Sequence, residues 1–76
     1  LSANHHVAAY YWRGNAYYHK QEYDKAIADY TALIRIKPDH ADAYYNRGYA
    51  YGNKGEKAKA NADFAKAKEL GYKPEQ

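Results

Sequence analysis

The chain matches itself when it is shifted by 34 residues, and this internal repeat restricts its fold more than any other feature. So many coincidences at one offset mean that the 76 residues contain two copies of one unit. A period of this length is typical of solenoids, in which each unit packs on its neighbours. The matching pairs are Tyr10 and Tyr44, Tyr11 and Tyr45, Arg13 and Arg47, Gly14 and Gly48, Ala16 and Ala50, Tyr17 and Tyr51, Ala26 and Ala60, Ala28 and Ala62, and Asp29 and Asp63, with Tyr30 opposite Phe64 and Ile36 opposite Leu70.

The first copy is predicted to form two helices. Apolar and small residues recur at helical spacing and predict a helix over about 4–20, with Asn4 as its N-cap. A turn over 21–23 leads into a second helix, which ends at about Lys37 because Pro38 cannot continue it.

The second copy repeats this arrangement. Asp39 is expected to cap a third helix with Asp42 in its first turn, and that helix is expected to stop near 53–55. A fourth helix is predicted over about 56–70, with Gly71 as a left-handed stop. No segment alternates with period two for long enough to form a strand, so the predicted fold class is all-α.

Small residues indicate where the two helices of each unit touch. Gly14 and Gly48 lie between bulky tyrosines on the first helix of each unit, and Ala26 and Ala60 lie on the second. Helices approach closely only where side chains are small, so these four positions predict the helix contact. The aromatic residues expected in the core around them are Tyr10, Tyr17, Tyr23, Tyr30, Tyr44, Tyr51 and Phe64.

These residues carry a family resemblance. The stretch 10–17 together with 23–27, Tyr30 and Pro38 resembles one full tetratricopeptide repeat (TPR) motif. The stretch 44–51 together with 54–56, Ala60 and Phe64 resembles a second. Three features depart from the family pattern: Arg13 and Arg47 replace an aliphatic residue, Lys57 stands opposite Tyr23, and Pro74 comes two residues late.

The resemblance implies two antiparallel helical hairpins stacked as a short right-handed solenoid. We expect one domain over 1–76, with repeat one over 7–40, repeat two over 41–72 and a polar tail over 73–76. Whether these two repeats belong to a longer array is left open.

The resemblance also implies a concave surface, lined by the first helix of each repeat, that binds an extended peptide or a partner helix. The helical wheel independently predicts a second face, with aromatic rings and amides about 100° from the core stripe. Aromatic side chains are typical interface anchors, and an asparagine can bond a peptide backbone as donor and as acceptor. The predicted surface, called the groove below, consists of Tyr11, Trp12, Asn15, Tyr18, His19, Tyr45, Asn46, Tyr49 and Asn53.

The sequence therefore predicts a protein-binding adaptor or scaffold. A clamp for a C-terminal carboxylate, which some TPR domains have, is rejected. Tyr11 stands where the first clamp lysine would lie, and a third repeat with its two basic residues is missing. A buried carboxylate would then lack its cation.

The sequence gives little support for metal binding or catalysis. The chain has no cysteine, and adjacent His5 and His6 point about 100° apart on a helix, so they cannot chelate as an i, i+4 pair can. Neither His19 nor His40 has a carboxylate at a convincing ligand spacing. We therefore expect no metal, no cofactor and no enzymatic activity.

Two alternatives to peptide binding remain open. The first is self-association into a homo-oligomer through the aromatic N-terminal repeat, with Val7, Tyr11 and Trp12, because the last helix is rich in alanine and charge. The more distant one is RNA binding, but the net charge of +3 is spread along the chain rather than concentrated, and nucleic acid is not an expected partner.

The apolar segment 7–12 is too short to cross a bilayer, and no signal peptide is recognised. A membrane partner is therefore not expected. Localisation stays undetermined, with the cytoplasm as the default expectation.

Overall fold

The computed structural model describes residues 3–73, and these form four helices in two hairpins. Helix α1 spans Ala3–His19, α2 spans Tyr23–Ile36, α3 spans Ala41–Asn53 and α4 spans Lys57–Glu69. Helix α1 packs on α2, α2 on α3 and α3 on α4, so the two hairpins lie side by side along one axis. The predicted all-α solenoid of helical hairpins is confirmed.

Two predicted helix caps are wrong. Helix α1 already includes Asn4, because it begins at Ala3. Asp39 does not cap α3, since His40 has the extended backbone of an N-cap and its Nδ1 accepts a hydrogen bond from the amide of Ala43 at 3.2 Å. The last three residues of the predicted polar tail, Pro74 among them, lie outside the described residues.

The turns inside the two hairpins have the same geometry. Gln21 and Gly55, which are 34 residues apart, both have a positive φ, of 64° and 87°. The following amide, of Glu22 or Glu56, donates to a carbonyl five residues back at 2.9 Å in each case. Only the second copy places glycine in this left-handed conformation, which other L-residues adopt at a cost.

The predicted helix contact within each hairpin is present. Gly14 and Gly48 are buried, and a Cβ atom added at Gly14 would lie 2.8 Å from Cε1 of Tyr30. A Cβ atom added at Gly48 would lie 2.7 Å from Cε1 of Phe64. The ring on the second helix therefore occupies the space that a side chain on the first helix would need.

The fully buried core is smaller and less aromatic than predicted. Among the seven rings assigned to the core, only Tyr30 is fully buried, with 1% of its surface exposed. The other six are half-buried, because a stack of two hairpins leaves every helix partly open to water. The buried apolar residues are Ala26, Tyr30, Leu33, Ala43, Ala50, Ala60 and Ala67.

A repeated ion pair explains the two arginines that depart from the family pattern. Arg13 donates through Nε and Nη2 to the carboxylate of Asp29, at 2.8 and 2.7 Å. Arg47 makes the same bidentate contact with Asp63, at 2.7 and 2.8 Å, and its Nη1 also donates to Thr31 Oγ1 of the preceding hairpin at 3.2 Å. Arg47 therefore links three helices, whereas Arg13 links two.

Tyrosines flank each of these arginines. The Arg13 guanidinium lies 5.8 and 6.0 Å from the ring centroids of Tyr10 and Tyr17. The equivalent distances from Arg47 to Tyr44 and Tyr51 are 5.5 and 5.7 Å. The half-buried rings thus cover the stem and face of an arginine, which accounts for their partial exposure.

Candidate functional site

The groove lies on α1 and α3, the first helix of each hairpin. Its centre is a depression of about 310 Å³ between the two hairpins. Five of the nine predicted groove residues line this depression, and Tyr30 of α2 adds a sixth side chain. The lining residues are Asn15, Tyr18, His19, Tyr30, Asn46 and Tyr49.

Two asparagines form the floor of the depression. Asn46 donates through Nδ2 to Asn15 Oδ1 at 3.2 Å and to the hydroxyl of Tyr11 at 3.4 Å. The Tyr30 hydroxyl donates to the same Asn15 oxygen. Three helices therefore hold the Asn15 carbonyl in a fixed position.

This network leaves one donor group and one acceptor free. No hydrogen bond among the described residues uses Nδ2 of Asn15 or Oδ1 of Asn46. Every buried side-chain nitrogen or oxygen atom of the described residues has a hydrogen-bond partner. Since these two groups have none, they are not buried and are accessible to solvent. A ligand in the depression could accept from Asn15 and donate to Asn46.

A second asparagine bridge lies at the other end of the same face. Asn53 donates through Nδ2 to the hydroxyl of Tyr18 at 3.1 Å and to the carbonyl of Tyr49 at 2.8 Å. The Tyr18 ring also meets Tyr23 edge-on, with centroids 5.6 Å apart. Tyr18 is thereby fixed between the two hairpins.

Four predicted groove residues do not line the depression: Tyr11 and Asn53 bond to its lining, and Tyr45 and Trp12 lie away from it. Tyr45 stacks on Tyr72 with ring centroids 4.1 Å apart and also packs against Phe64, so it belongs to a cluster at the C-terminal end. Trp12 is 67% exposed and contacts Tyr11 edge-on, at 5.0 Å between centroids. The nine residues therefore divide into five that line the depression, two that bond to this lining, and Tyr45 and Trp12 in separate aromatic groups.

The depression carries no permanent charge. Its lining contains no lysine, arginine, aspartate or glutamate, and His19 is the single titratable nitrogen base. Burial raises the pKa of Tyr30 above its ordinary value. The hydrogen bond with Tyr49 raises the pKa of Tyr45 to about 12, so both phenols are neutral near pH 7.

Two residues of this surface, Tyr30 and Tyr72, are not among the nine predicted groove residues. Tyr30 was assigned to the core, yet its hydroxyl reaches Asn15 because Gly14 leaves room for the ring to pass. Tyr72 was counted only as the end of the second repeat. The glycine immediately before Asn15 was the signal for Tyr30, and no signal in the sequence indicated Tyr72.

Within residues 3–73, no three histidine, aspartate or glutamate side chains lie close enough together to hold a metal ion. No helix in the same range is long and apolar enough to cross a membrane.

The comparisons with known proteins agree with the repeat. A family model described as TPR repeat matches residues 14–55, and one described as Tetratricopeptide repeat matches residues 41–70. The first of these alone covers more than half of the chain. No curated protein sequence matches the chain.

Proposed function

Because the chain belongs to the tetratricopeptide repeat family, whose members are generally protein–protein interaction modules, we propose that it acts as an adaptor or scaffold that binds an extended segment of another polypeptide in the groove. The observation that supports this most is the asparagine pair in the depression, with the Asn15 amide donor and the Asn46 carbonyl both free. An extended backbone presents a carbonyl and an amide in alternation and can satisfy both.

The lining of the depression further limits the ligand. With no cation there, a segment ending in a carboxylate would lose its hydration without gaining a charge partner. Tyr18 and Tyr49 instead offer ring faces to apolar or aromatic side chains. We therefore expect an internal, uncharged peptide segment rather than a chain terminus.

The proposed role is non-catalytic, as is the family fold in general. The groove residues are tyrosines, asparagines, a histidine and a tryptophan, and none of them pairs with a neighbouring base in the way that an activated nucleophile requires.

Peptide display on the intact chain would test the groove. A library of random twelve-residue peptides is selected on the wild type, and the selected peptides are then measured on Asn46→Ala and Tyr49→Ala. Each variant should weaken binding by about five- to thirty-fold, the range for an interface anchor.

Lys66→Ala on α4 is the matched control, because this residue lies outside the depression and should leave affinity unchanged. Circular dichroism must show equal helicity for all three variants. If the selected peptides bound Asn46→Ala and Tyr49→Ala as tightly as the wild type, or if all of them ended in an essential carboxylate, the proposed groove would be wrong.

Self-association is the second candidate, and the exposure of Trp12 beside Tyr11 favours it. A large exposed ring beside a half-buried one is typical of a protein contact surface. Sedimentation across a concentration series should show a dimer that Trp12→Ala returns to monomer, with a blue shift of tryptophan fluorescence on association. A monomer at millimolar concentration would rule this candidate out.

A further inference from the structure

The side of α3 that packs on the preceding hairpin corresponds to a side of α1 that is exposed. Ala43 and Ala50 of α3 are completely buried, whereas Ala9 and Ala16, at the same positions of α1, are exposed. Both helices pack on the second helix of their own hairpin, so the additional burial on α3 comes from the preceding hairpin, chiefly from α2.

The charged residues of the two faces differ in the same way. The Arg47 side chain is 16% exposed, and that of Arg13 is 60% exposed. Lys54 is bonded to Asp24 of the preceding hairpin and to Glu56, whereas its equivalent Lys20 reaches only Glu22, at 3.7 Å. Ala9, Arg13, Ala16 and Lys20 thus form an uncovered copy of an internal junction, called the N-terminal face below.

The internal junction also shows which groups match this face. Thr31 accepts from Nη1 of Arg47, the one guanidinium nitrogen that Asp63 leaves free, and Asp24 pairs with Lys54. The two α2 residues are seven positions apart, which places them on one side of the helix two turns from each other. No hydrogen bond among the described residues uses Nη1 of Arg13.

A shallow depression of about 300 Å³, lined by His6, Ala9, Tyr10 and Arg13, lies at the N-terminal half of this face. Helix α1 contains no acidic residue, so the carboxylates beside this face come from the second helix and the turn before it, Asp29 against Arg13 and Glu22 against Lys20.

We propose that the N-terminal face docks an amphipathic helix of a partner polypeptide, one that carries a carboxylate and, seven residues later, a hydroxyl. The hydroxyl accepts from Nη1 of Arg13, and the carboxylate pairs with Lys20. Small residues between the two let the helix approach Ala9 and Ala16, as Ala28 lies between Asp24 and Thr31 of α2.

The C-terminal end of a second copy does not offer this pair. Helix α4 has Ala58 and Ala65 at the positions of Asp24 and Thr31, so it provides neither the carboxylate nor the hydroxyl. It also carries four lysines, Lys57, Lys59, Lys66 and Lys68, against two acids, Asp63 and Glu69, so its net charge has the same sign as that of Arg13 and Lys20. The missing pair and the positive charge of α4 therefore favour a helix other than the C-terminal helix of a second copy.

The test uses a synthetic peptide with the sequence of residues 22–37, which presents the required pair in its natural setting. The peptide is titrated into the isotope-labelled intact chain, and amide chemical shifts are followed. Shifts should concentrate at Ala9, Arg13, Ala16 and Lys20. The variant Lys20→Glu should weaken binding by about two- to five-fold, as expected for an exposed ion pair.

A charge exchange gives the matched control. The peptide variant Asp24→Lys should bind the wild-type chain more weakly than the original peptide does. Its affinity for the Lys20→Glu chain should equal that of the original peptide for the wild-type chain. A scrambled peptide should produce no shifts. Shifts confined to Asn15, Tyr18 and Asn46, equal binding of the scrambled peptide, or failure of the exchange to restore binding would each overturn the proposal. So would concentration-dependent shifts at Ala9 and Ala16 without peptide, which indicate a second copy.

A second experiment links the docking helix covalently to the chain, so that the result does not depend on an isolated peptide forming a helix. In a chain with residues 7–40 duplicated ahead of Val7, the hydrogen-exchange rate of the original Ala16 amide should fall to that of the Ala50 amide or below it. An exchange rate at Ala16 unchanged from that of the parent chain would also refute the proposal.

Discussion

Gln21 is the one described non-glycine residue with a positive φ, at the position where the second repeat has Gly55. The change Gln21→Gly should raise the free energy of unfolding by about 1 kcal/mol, because glycine adopts this conformation without the Cβ clash. Gly55→Gln should lower it by a similar amount. Thermal unfolding of both variants gives the comparison, and a loss of stability in Gln21→Gly would contradict it.

The Tyr45 hydroxyl supplies a residue-scale pH prediction. Its hydrogen bond with Tyr49 raises its pKa to about 12 from an ordinary value near 10, so the neutral form is favoured in the folded chain. The stabilising effect is complete below pH 10 and disappears as the pH rises through about 12. Tyr49→Phe should lower the pKa of Tyr45 in an NMR titration of labelled tyrosine. Tyr23→Phe, which alters a ring in the other hairpin, should leave that pKa unchanged.

Close helix contact is the main constraint at the scale of the elements. Gly48 and Gly52 lie one turn apart on α3, but an added Cβ atom would lie 2.7 Å from Phe64 at Gly48 and no nearer than 3.8 Å to any neighbour at Gly52. Gly48→Ala should therefore destabilise the chain by about 1–3 kcal/mol through overpacking. Gly52→Ala should stabilise it by about 0.5–1 kcal/mol through helix propensity. Urea unfolding of the two variants should give opposite signs, and equal signs would refute this contact.

The junction between the hairpins depends on Arg47. Removing it in Arg47→Met leaves the carboxylate of Asp63, which is 7% exposed, without its partner, and should cost about 3 kcal/mol. The double variant Arg47→Met with Asp63→Leu should recover most of that loss, because two apolar side chains carry no uncompensated charge. Urea unfolding measures both variants. A double variant no more stable than the single one would show that Arg47 acts through packing alone.

The sequence predicts those features of the helices that depend on residues close together in the chain or on the repeat, and it predicts the others less well. The four helices and the Gly14 contact follow from the 34-residue period, since both copies support the same assignment. The cap of α3 was wrong because it depends on the backbone angles of His40, which adjacent Asp39 could equally have adopted. The pairing of Arg13 with Asp29 was missed because it crosses a hairpin between residues whose types alone do not specify a contact. The groove residues follow from the helical wheel and from side-chain type, and neither can separate a central depression from flanking rings.

At the scale of the whole molecule, the inner two helices are expected to be the most stable part. Helices α2 and α3 each pack on neighbours on two sides, whereas α1 and α4 each have one main neighbour. Amides in the middle of α2 and α3 should therefore exchange with solvent about tenfold more slowly than those of α1 and α4. Hydrogen exchange followed by NMR provides the measurement. Equal protection in all four helices would indicate a single cooperative unit instead.

The unequal ends of the stack give tandem duplication a direction. A further copy of residues 7–40 inserted before Val7 would bring a new Asp24 and Thr31 onto Lys20 and Arg13, so the bonds that Lys54 and Arg47 make across the existing junction would be reproduced. A further copy of residues 41–72 added after the second repeat would instead set Ala58 and Ala65 against the new arginine and lysine, with neither bond available. A gene encoding this unit can therefore lengthen its product in a single in-frame step at one end, while growth at the other requires compensating substitutions first.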